Sequence, residues 1–122
     1  MRAAAWQPAM AALEVGTAGE FDRQILHAPE PTVVMFWAAW CPFCRTFRPT
    51  FDAHALRSDA RFAIVRLDDE DNPLWDTYAV HVVPSLAYFR GGELVARRDG
   101  RLGRGLTEPE MEAFLREAFT TA

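Results

Sequence analysis

The sequence predicts an α/β fold in which a mixed central β-sheet is sandwiched by helices, giving a three-layer α/β/α arrangement. The chain has 122 residues, of which 50% are hydrophobic, so it fits one domain with a core of its own. Strand-like and helix-like segments alternate along the early part of the chain, and two strands joined by a tight turn come late. Both parallel and antiparallel pairing are therefore expected in the same sheet.

The first elements follow from local patterns. A short edge strand is predicted over Leu13–Val15, and a helix capped by Thr17 is predicted over about residues 20–27. The run of residues 32–38 is β-branched, aromatic and uncharged. Such a run is typical of a central strand that is covered on both faces.

The segment after the central strand predicts a long helix that ends at about position 57. Phe43, Phe47 and Phe51 are spaced by four residues and so share one face of this helix. Pro49 lies inside the segment, and we expect a kink there because proline cannot donate the helical hydrogen bond. Residues 61–67 predict the next strand.

The stretch that follows this strand is polar. Residues 68–71 are all acidic and are interpreted as a solvated loop and helix start, because no second ligand cluster accompanies them for a metal. Asn72 and Pro73 predict a further helix, with the asparagine as its cap and the proline at its first position. Trp75 and Tyr78 then fit ordinary packing of that helix on the sheet.

The last third of the chain predicts a hairpin and a terminal helix. Ser85–Arg90 and residues 93–98 flank the pair Gly91–Gly92, which supplies the positive φ angles of a two-residue turn. Thr107 and Glu110 form the sequence pattern of a capping box. The apolar residues that follow recur at helical spacing: Met111, Phe114, Leu115, Ala118 and Phe119.

Composition and charge exclude several functions. Residues 1–12 are interpreted as an N-terminal extension and residues 13–122 as the single domain. The chain has 13 basic residues, all arginine, against 17 acidic ones and a net charge of −4, which argues against binding to nucleic acid. The absence of lysine excludes Schiff-base chemistry and a phosphate-loop lysine. The uncharged stretch that contains the central strand, residues 31–40, is too short to cross a bilayer. We therefore expect a soluble, cytoplasmic protein without a membrane partner.

The chain has two cysteines, Cys41 and Cys44, and they lie where the central strand gives way to the long helix. This position puts the first sulfur at a helix N-terminus, where unpaired N–H groups and the positive end of the dipole favour a thiolate. Cys41 is therefore predicted to be a nucleophile. Cys44 is one turn further on, so it can attack a mixed disulfide formed on Cys41 and release the product. Pro42 suits the first helical position.

At these residues the sequence resembles the thioredoxin family, over about positions 13–119. The resemblance implies a thioredoxin-like fold and a thiol-disulfide oxidoreductase that reduces protein disulfides. It rests on the following residues: the run Phe-Trp-Ala-Ala-Trp-Cys-Pro-Phe-Cys at 36–44, Pro49, Asn72-Pro73, Val83-Pro84 and Gly91-Gly92.

The resemblance also implies a substrate-binding surface. Trp40, Pro42 and Phe43 would line it, Pro84 would follow a cis bond facing the cysteines, and the backbone of Val83 would pair with an extended stretch of the substrate. No organic cofactor or metal is implied, because the dithiol itself carries two electrons. The expected partners are disulfide-containing proteins and an upstream thiol reductase, and the protein is expected to be a monomer.

Three features depart from the family pattern. The pair between the cysteines is Pro-Phe instead of Gly-Pro, which leaves open whether the site reduces, oxidises or isomerises disulfides. Met35 replaces a buried aspartate that is thought to accept the proton of the second cysteine, so Cys44 would resolve mixed disulfides slowly or borrow a base through water, with Glu70 as a candidate. Arg66 would then lack its carboxylate partner. Residues 101–106 lengthen the last connection.

Other uses of these residues stay open at this point. The domain could be a binding or chaperone module in which the cysteines are idle. A zinc site is disfavoured, because it needs two more ligands and His27, His54 and His81 are not in a paired spacing. His81 could face the sulfurs or lie on the surface, whereas His54 is interpreted as an ordinary helix residue.

Overall fold

A computed structural model describes residues 12–120. The extension assigned to residues 1–12 lies outside the described residues except for Ala12, which is buried in the core. The strands are β1 (Leu13–Val15), β2 (Thr32–Trp37), β3 (Arg61–Arg66), β4 (Ser85–Arg90) and β5 (Glu93–Asp99). The helices are α1 (Ala18–Phe21, continued by a π-helical turn over Asp22–Leu26), α2 (Pro42–Arg57), α3 (Leu74–Thr77) and α4 (Glu108–Thr120).

The five strands form one sheet in the order β1-β3-β2-β4-β5. β3 pairs in parallel with both β1 and β2, whereas β4 pairs antiparallel with β2 and β5. The predicted mixed sheet is therefore confirmed, with β1 at its edge. Every residue of β2 is buried, as expected for a central strand covered on both faces.

Aromatic residues fill the core on both faces of the sheet. On one face Phe21 of α1 packs against Phe36 of β2 and Phe89 of β4, with ring centroids 6.5 and 5.3 Å apart. On the other face Phe51 of α2 packs edge-on against Phe62 of β3, at 5.4 Å. Burying such a ring contributes roughly 1.5–3 kcal/mol. The predicted α/β/α layering follows from these contacts.

The first and third helices are short. α1 begins with a capping box, in which the Glu20 N–H donates to Thr17 Oγ1 and the Thr17 N–H donates to the Glu20 carboxylate. It therefore starts slightly earlier than predicted. α3 starts at Leu74, whose N–H donates to Asn72 Oδ1 over 3.0 Å. Pro73 precedes this helix instead of occupying its first position, because the asparagine side chain takes the first free N–H.

The hairpin forms at the predicted position. Gly91 and Gly92 have φ angles of 62° and 82°, in the left-handed region that only glycine adopts without strain. A β-bulge between Tyr88 and Phe89 shifts the register of β4 against β5. No hairpin sequence pattern indicated this bulge.

The terminal helix α4 begins with the predicted capping box, since the Glu110 N–H donates to Thr107 Oγ1 and the Thr107 N–H donates to Glu110 Oε1. Phe119, predicted to lie on its packed face, is half-exposed and packs edge-to-face against Tyr88. Within residues 12–120, no helix is long and apolar enough to cross a membrane. The buried residues of α4 are Met111, Phe114 and Ala118.

Candidate active site

Cys41 is the residue that joins the end of β2 to the start of α2. Its backbone is extended, with φ −94° and ψ 119°, and Pro42 is the first residue of the helix. The Arg45 N–H donates to the Cys41 carbonyl over 3.2 Å, which closes the first helical turn. The Cys41 side chain is 7% exposed, and it lines a groove on the surface. The strand-to-helix junction thus places this sulfur at a helix N-terminus, as the sequence predicts.

Cys44 lies one turn further along α2 and is completely buried. Both cysteines are free thiols. Burial, with a smaller contribution from the neighbouring Cys41, raises the pKa of Cys44 to about 12, although the Ala38 N–H, 3.5 Å from the sulfur, acts in the opposite direction. The two thiols are therefore close together but unequal, because one borders the surface and the other stays protonated at neutral pH.

The bond between Val83 and Pro84 is cis. The Cys41 thiol donates to the Val83 carbonyl over 3.5 Å, so this turn lies directly against the first sulfur. Pro84 itself is buried behind it. The turn is held by Ser85, whose hydroxyl donates to the Val82 carbonyl and accepts the Gly100 N–H. Two segments far apart in sequence thus meet at the sulfur.

An apolar groove of about 360 Å³ surrounds Cys41. Trp40 and Phe43 are 54% and 39% exposed, so two large apolar surfaces flank the thiol. A larger depression, of about 490 Å³, lies near Ser58 and Arg61 at the other end of the parallel strands, and neither cysteine lines it. The groove is lined by Trp40, Cys41, Pro42, Phe43, Trp75, His81, Val82, Val83 and residues 101–103.

Trp75 packs against the core as predicted, but it also forms part of this groove, which the sequence did not indicate. Its ring stacks on that of Trp40, with centroids 6.4 Å apart and planes 18° from parallel. The Trp40 Nε1–H donates to the Asp68 carbonyl, and the Trp75 Nε1–H donates to the Asp69 carbonyl. The backbone of the acidic loop thereby fixes both indoles. Tyr78, in contrast, packs on the sheet as predicted.

Asp68 and Arg45 hold the loop before Cys41 through the two polar groups of the Ala39 backbone. The Ala39 N–H donates to Asp68 Oδ1 over 2.7 Å, and Arg45 Nη1 donates to the Ala39 carbonyl over 2.8 Å. Arg66 pairs with Asp68 at 2.7 Å and with Glu14 at 3.4 Å. The interpretation of Asp68 as part of a solvated run is therefore wrong. Arg66 lacks the carboxylate that Met35 replaces, but Asp68 and Glu14 take its place as partners.

The carboxylate that lies against the active-site loop is Asp68, whereas Glu70 is exposed. Burial opposes the ionisation of Asp68, but the Ala39 N–H and the Arg66 guanidinium outweigh it and lower the pKa of this carboxyl. The only sequence signal for this contact was an aspartate directly after a buried strand, which by itself does not distinguish a tethering carboxylate from a solvated one.

We expect Asp68→Ala to lower the free energy of unfolding by about 1–2 kcal/mol at pH 7, the range for a charge-assisted hydrogen bond discounted for solvent screening. A lowered native pKa stabilises the fold above the unfolded value near 4 and loses this effect as pH falls through the native value. Urea unfolding at pH 7 and pH 3 should therefore show a difference that shrinks in acid. Glu70→Ala is the matched control, and an equal loss in both variants would contradict the tether.

His54 is buried and bonded, so its interpretation as an ordinary helix residue is wrong. Its Nε2 lies 2.9 Å from Glu108 Oε2, and Arg57 Nη2 lies 3.2 Å from the same nitrogen. The hydrogen bond from His54 lowers the pKa of Glu108. Glu112 completes a set of ligand atoms that lie within 4.8 Å of one another. Because Arg57 already supplies a positive charge here, we interpret this as an ion-pair cluster joining α2 to α4.

Two neighbouring free thiols at a helix start, beside a cis-proline turn, define a site for thiol-disulfide exchange. The sequence model of the thioredoxin family matches residues 12–115. Thioredoxin from Porphyra purpurea is 28% identical over 100 residues, which cover 81% of this chain and 94% of that protein. Thioredoxin 1 from Nostoc sp. is 31% identical over 87 residues, which cover 70% of this chain and 81% of that protein.

A solved structure shows the same fold. The chain matches a mutant thioredoxin from Halobacterium salinarum NRC-1 with a TM-score of 0.74, over 96% of this chain and 97% of that one, at 24% identity. The chain belongs to the thioredoxin family. The predicted class, a thiol-disulfide oxidoreductase of the protein-disulfide reductase type, is confirmed by this membership. Its chemistry uses a redox-active dithiol without a separate cofactor.

Proposed function

We propose that Cys41 and Cys44 together carry out the reduction of a protein disulfide. The Cys41 thiolate attacks one sulfur of the substrate, the substrate S–S bond breaks, and the leaving sulfur takes up a proton. Cys44 then loses its proton and attacks the Cys41 sulfur, which releases the second substrate thiol and leaves a disulfide between Cys41 and Cys44. The substrate gains two electrons. The observation that carries this proposal is the unequal burial of the two neighbouring thiols.

Five residues around Cys41 are proposed to bind the substrate. Trp40, Pro42 and Phe43 would contact the side chains that flank the attacked cystine, since all three are exposed at the groove. Val83 and Pro84 would position an extended stretch of the substrate backbone. The 3.5 Å contact between the Cys41 sulfur and the Val83 carbonyl supports this role, because a strand held there lies beside the attacking sulfur.

The second step is proposed to be slow. Cys44 must be deprotonated to attack, and its thiol is fully buried with a pKa of about 12. Met35, on β2, is also completely buried between Ile64 and Leu86 of the neighbouring strands. A thioether cannot accept a proton under these conditions. We therefore propose that a base reaches Cys44 only through water.

We also propose a partner, an oligomeric state and a cellular location for this protein. An upstream thiol reductase would return two electrons to the disulfide after each turnover, and the chain would act as a monomer in the cytoplasm. A reducing compartment agrees with a chain whose two cysteines both lie in the active-site motif, because no cysteine is left to form a stabilising disulfide framework.

Reduction of insulin with dithiothreitol as the electron source tests this function. The wild type should accelerate the precipitation of the insulin B chain well above the rate with a Cys41→Ser/Cys44→Ser double variant, because only the wild type can pass electrons through a dithiol. Turnover by the wild type no faster than by the double variant would favour a binding or chaperone module. Circular dichroism of both proteins checks that the substitutions leave the fold intact.

A further inference from the structure

The connection between β5 and α4 forms an ordered turn at the active-site groove. Arg101 and Gly105 form an isolated antiparallel bridge, in which the Arg101 N–H donates to the Gly105 carbonyl over 3.0 Å. The Arg104 and Gly105 N–H groups both donate to the Arg101 carbonyl, at 2.9 and 2.8 Å. We call residues 101–105 the groove turn. Its own hydrogen bonds fix its shape.

The groove turn packs directly on the pair of residues between the two cysteines. A Cβ atom at Gly105 would lie only 2.9 Å from the Cβ of Phe43, so the backbone of the turn touches this phenylalanine. Gly105 also has a φ of 73°, which a larger residue would adopt only with strain. The turn is therefore held against Phe43, and residues 101–103 complete one wall of the groove.

The wall formed by the groove turn is positively charged, because Arg101 lines the groove. Arg101 and Arg104 are exposed, and Arg101 has only a long ion pair, at 3.8 Å, with Glu110. Leu102, at the tip between them, is 87% exposed. The facing wall is the stack of Trp40 and Trp75, and the exposed acidic residues 69–71 do not line the groove. A segment bound in the groove thus meets positive charge at the groove turn and an aromatic surface at Trp40 and Trp75.

We propose that the groove turn selects the substrate, favouring disulfide-bearing segments that carry an acidic side chain on the side of Arg101 and Arg104. This inference rests on the proposed function, because it concerns which disulfides reach Cys41. The net charge of the protein is −4, so the two arginines are a local exception that attracts an acidic residue. The facing side, formed by Trp40 and Trp75, offers this residue no positive charge, so the position of the acidic side chain decides the rate.

Two isomeric peptide disulfides test the proposal, one with glutamates N-terminal to the reacting cysteine and the other with glutamates C-terminal to it. With the wild type at low salt, the initial rates should differ by about fivefold or more, and 0.5 M NaCl should reduce the difference. In an Arg101→Glu/Arg104→Glu variant the order of the two isomers should invert. Because the variant should reduce one isomer faster than the wild type does, misfolding of the variant cannot explain the inversion. Arg116→Glu, on the exposed face of α4, is the control and should keep the wild-type order.

Equal rates for the two isomers with the wild type, or an order that survives the double charge reversal, would overturn the selection by the groove turn. Reduction of 2-hydroxyethyl disulfide by the wild type is measured in parallel. This small neutral disulfide needs the dithiol of Cys41 and Cys44 but no charged contact. If the wild type fails to reduce it, the proposed function itself is wrong, and this result is distinct from a loss of isomer preference.

Discussion

Replacing Cys41 with serine is expected to lower the rate of mixed-disulfide formation with a protein substrate by at least about a thousandfold. Cys44→Ser should leave this first step intact and stop the reaction at the mixed disulfide. The reason is the difference between the two sulfurs. Cys44 is completely buried and has a pKa of about 12, so only about one molecule in 10⁵ carries its thiolate at pH 7. Cys44 therefore cannot replace the Cys41 thiol, which lines the groove.

The measurement is mass spectrometry of the intact protein after mixing each variant with an excess of oxidised peptide. Cys44→Ser should accumulate a stable adduct on Cys41, and the same variant should capture substrates from a lysate. Cys41→Ser should show none on the same timescale. An adduct that forms equally fast on both variants would mean that the two thiols are equivalent, and the assignment of nucleophile and resolving cysteine would have to be withdrawn.

The same difference governs the second step of the reaction. Release of the peptide from the wild-type adduct should accelerate about tenfold for each unit of pH between 7 and 10, because the Cys44 thiolate is the attacking species. Met35→Asp places a carboxylate on β2 that can act as a base. The rate of release should then depend less on pH. If release is no faster at neutral pH in that variant, the missing carboxylate does not limit the rate.

Gly100→Ala is expected to lower the free energy of unfolding by about 3 kcal/mol, which is at the upper end for overpacking a buried site. Gly100 is buried where β5 ends, and a Cβ atom there would collide with the backbone carbonyl oxygen of Pro84. The atoms nearest to this Cβ position are backbone atoms of Pro84 and Gly105, so no flexible side chain can move away to make room. Because the displaced segment is the turn against Cys41, insulin reduction should fall together with stability.

Chemical unfolding of the wild type and variant gives the change in stability directly. Gly19→Ala is the matched control, since Gly19 lies in α1 and its nearest contact is the end of the flexible Arg23 side chain at 3.4 Å. Alanine favours a helix by about 0.5–1 kcal/mol over glycine, so this variant should be as stable as the wild type or slightly more stable. Equal behaviour of the two variants would show that the contact with Pro84 is not restrictive.

The sequence by itself determined the elements of this fold and the position of the dithiol. Short-range patterns were sufficient, because a buried β-branched run, a capping box or a glycine pair acts on residues within a few positions of itself. The strand over Thr32–Trp37, the helix from Pro42 to Arg57 and the hairpin at Gly91–Gly92 all appear where these patterns indicate. Two cysteines at a strand-to-helix junction also need no tertiary information.

Only the tertiary structure decided what surrounds the dithiol. Asp68 binds the Ala39 N–H across 29 positions of the chain, and His54 meets Glu108 across 54 positions. No local pattern distinguishes these side chains from solvated ones, because their partners come from other elements. The stacking of Trp75 on Trp40 and the groove turn on Phe43 have the same origin. Charge and shape at the groove depend on which segments the sheet brings together, and sequence spacing does not contain that information.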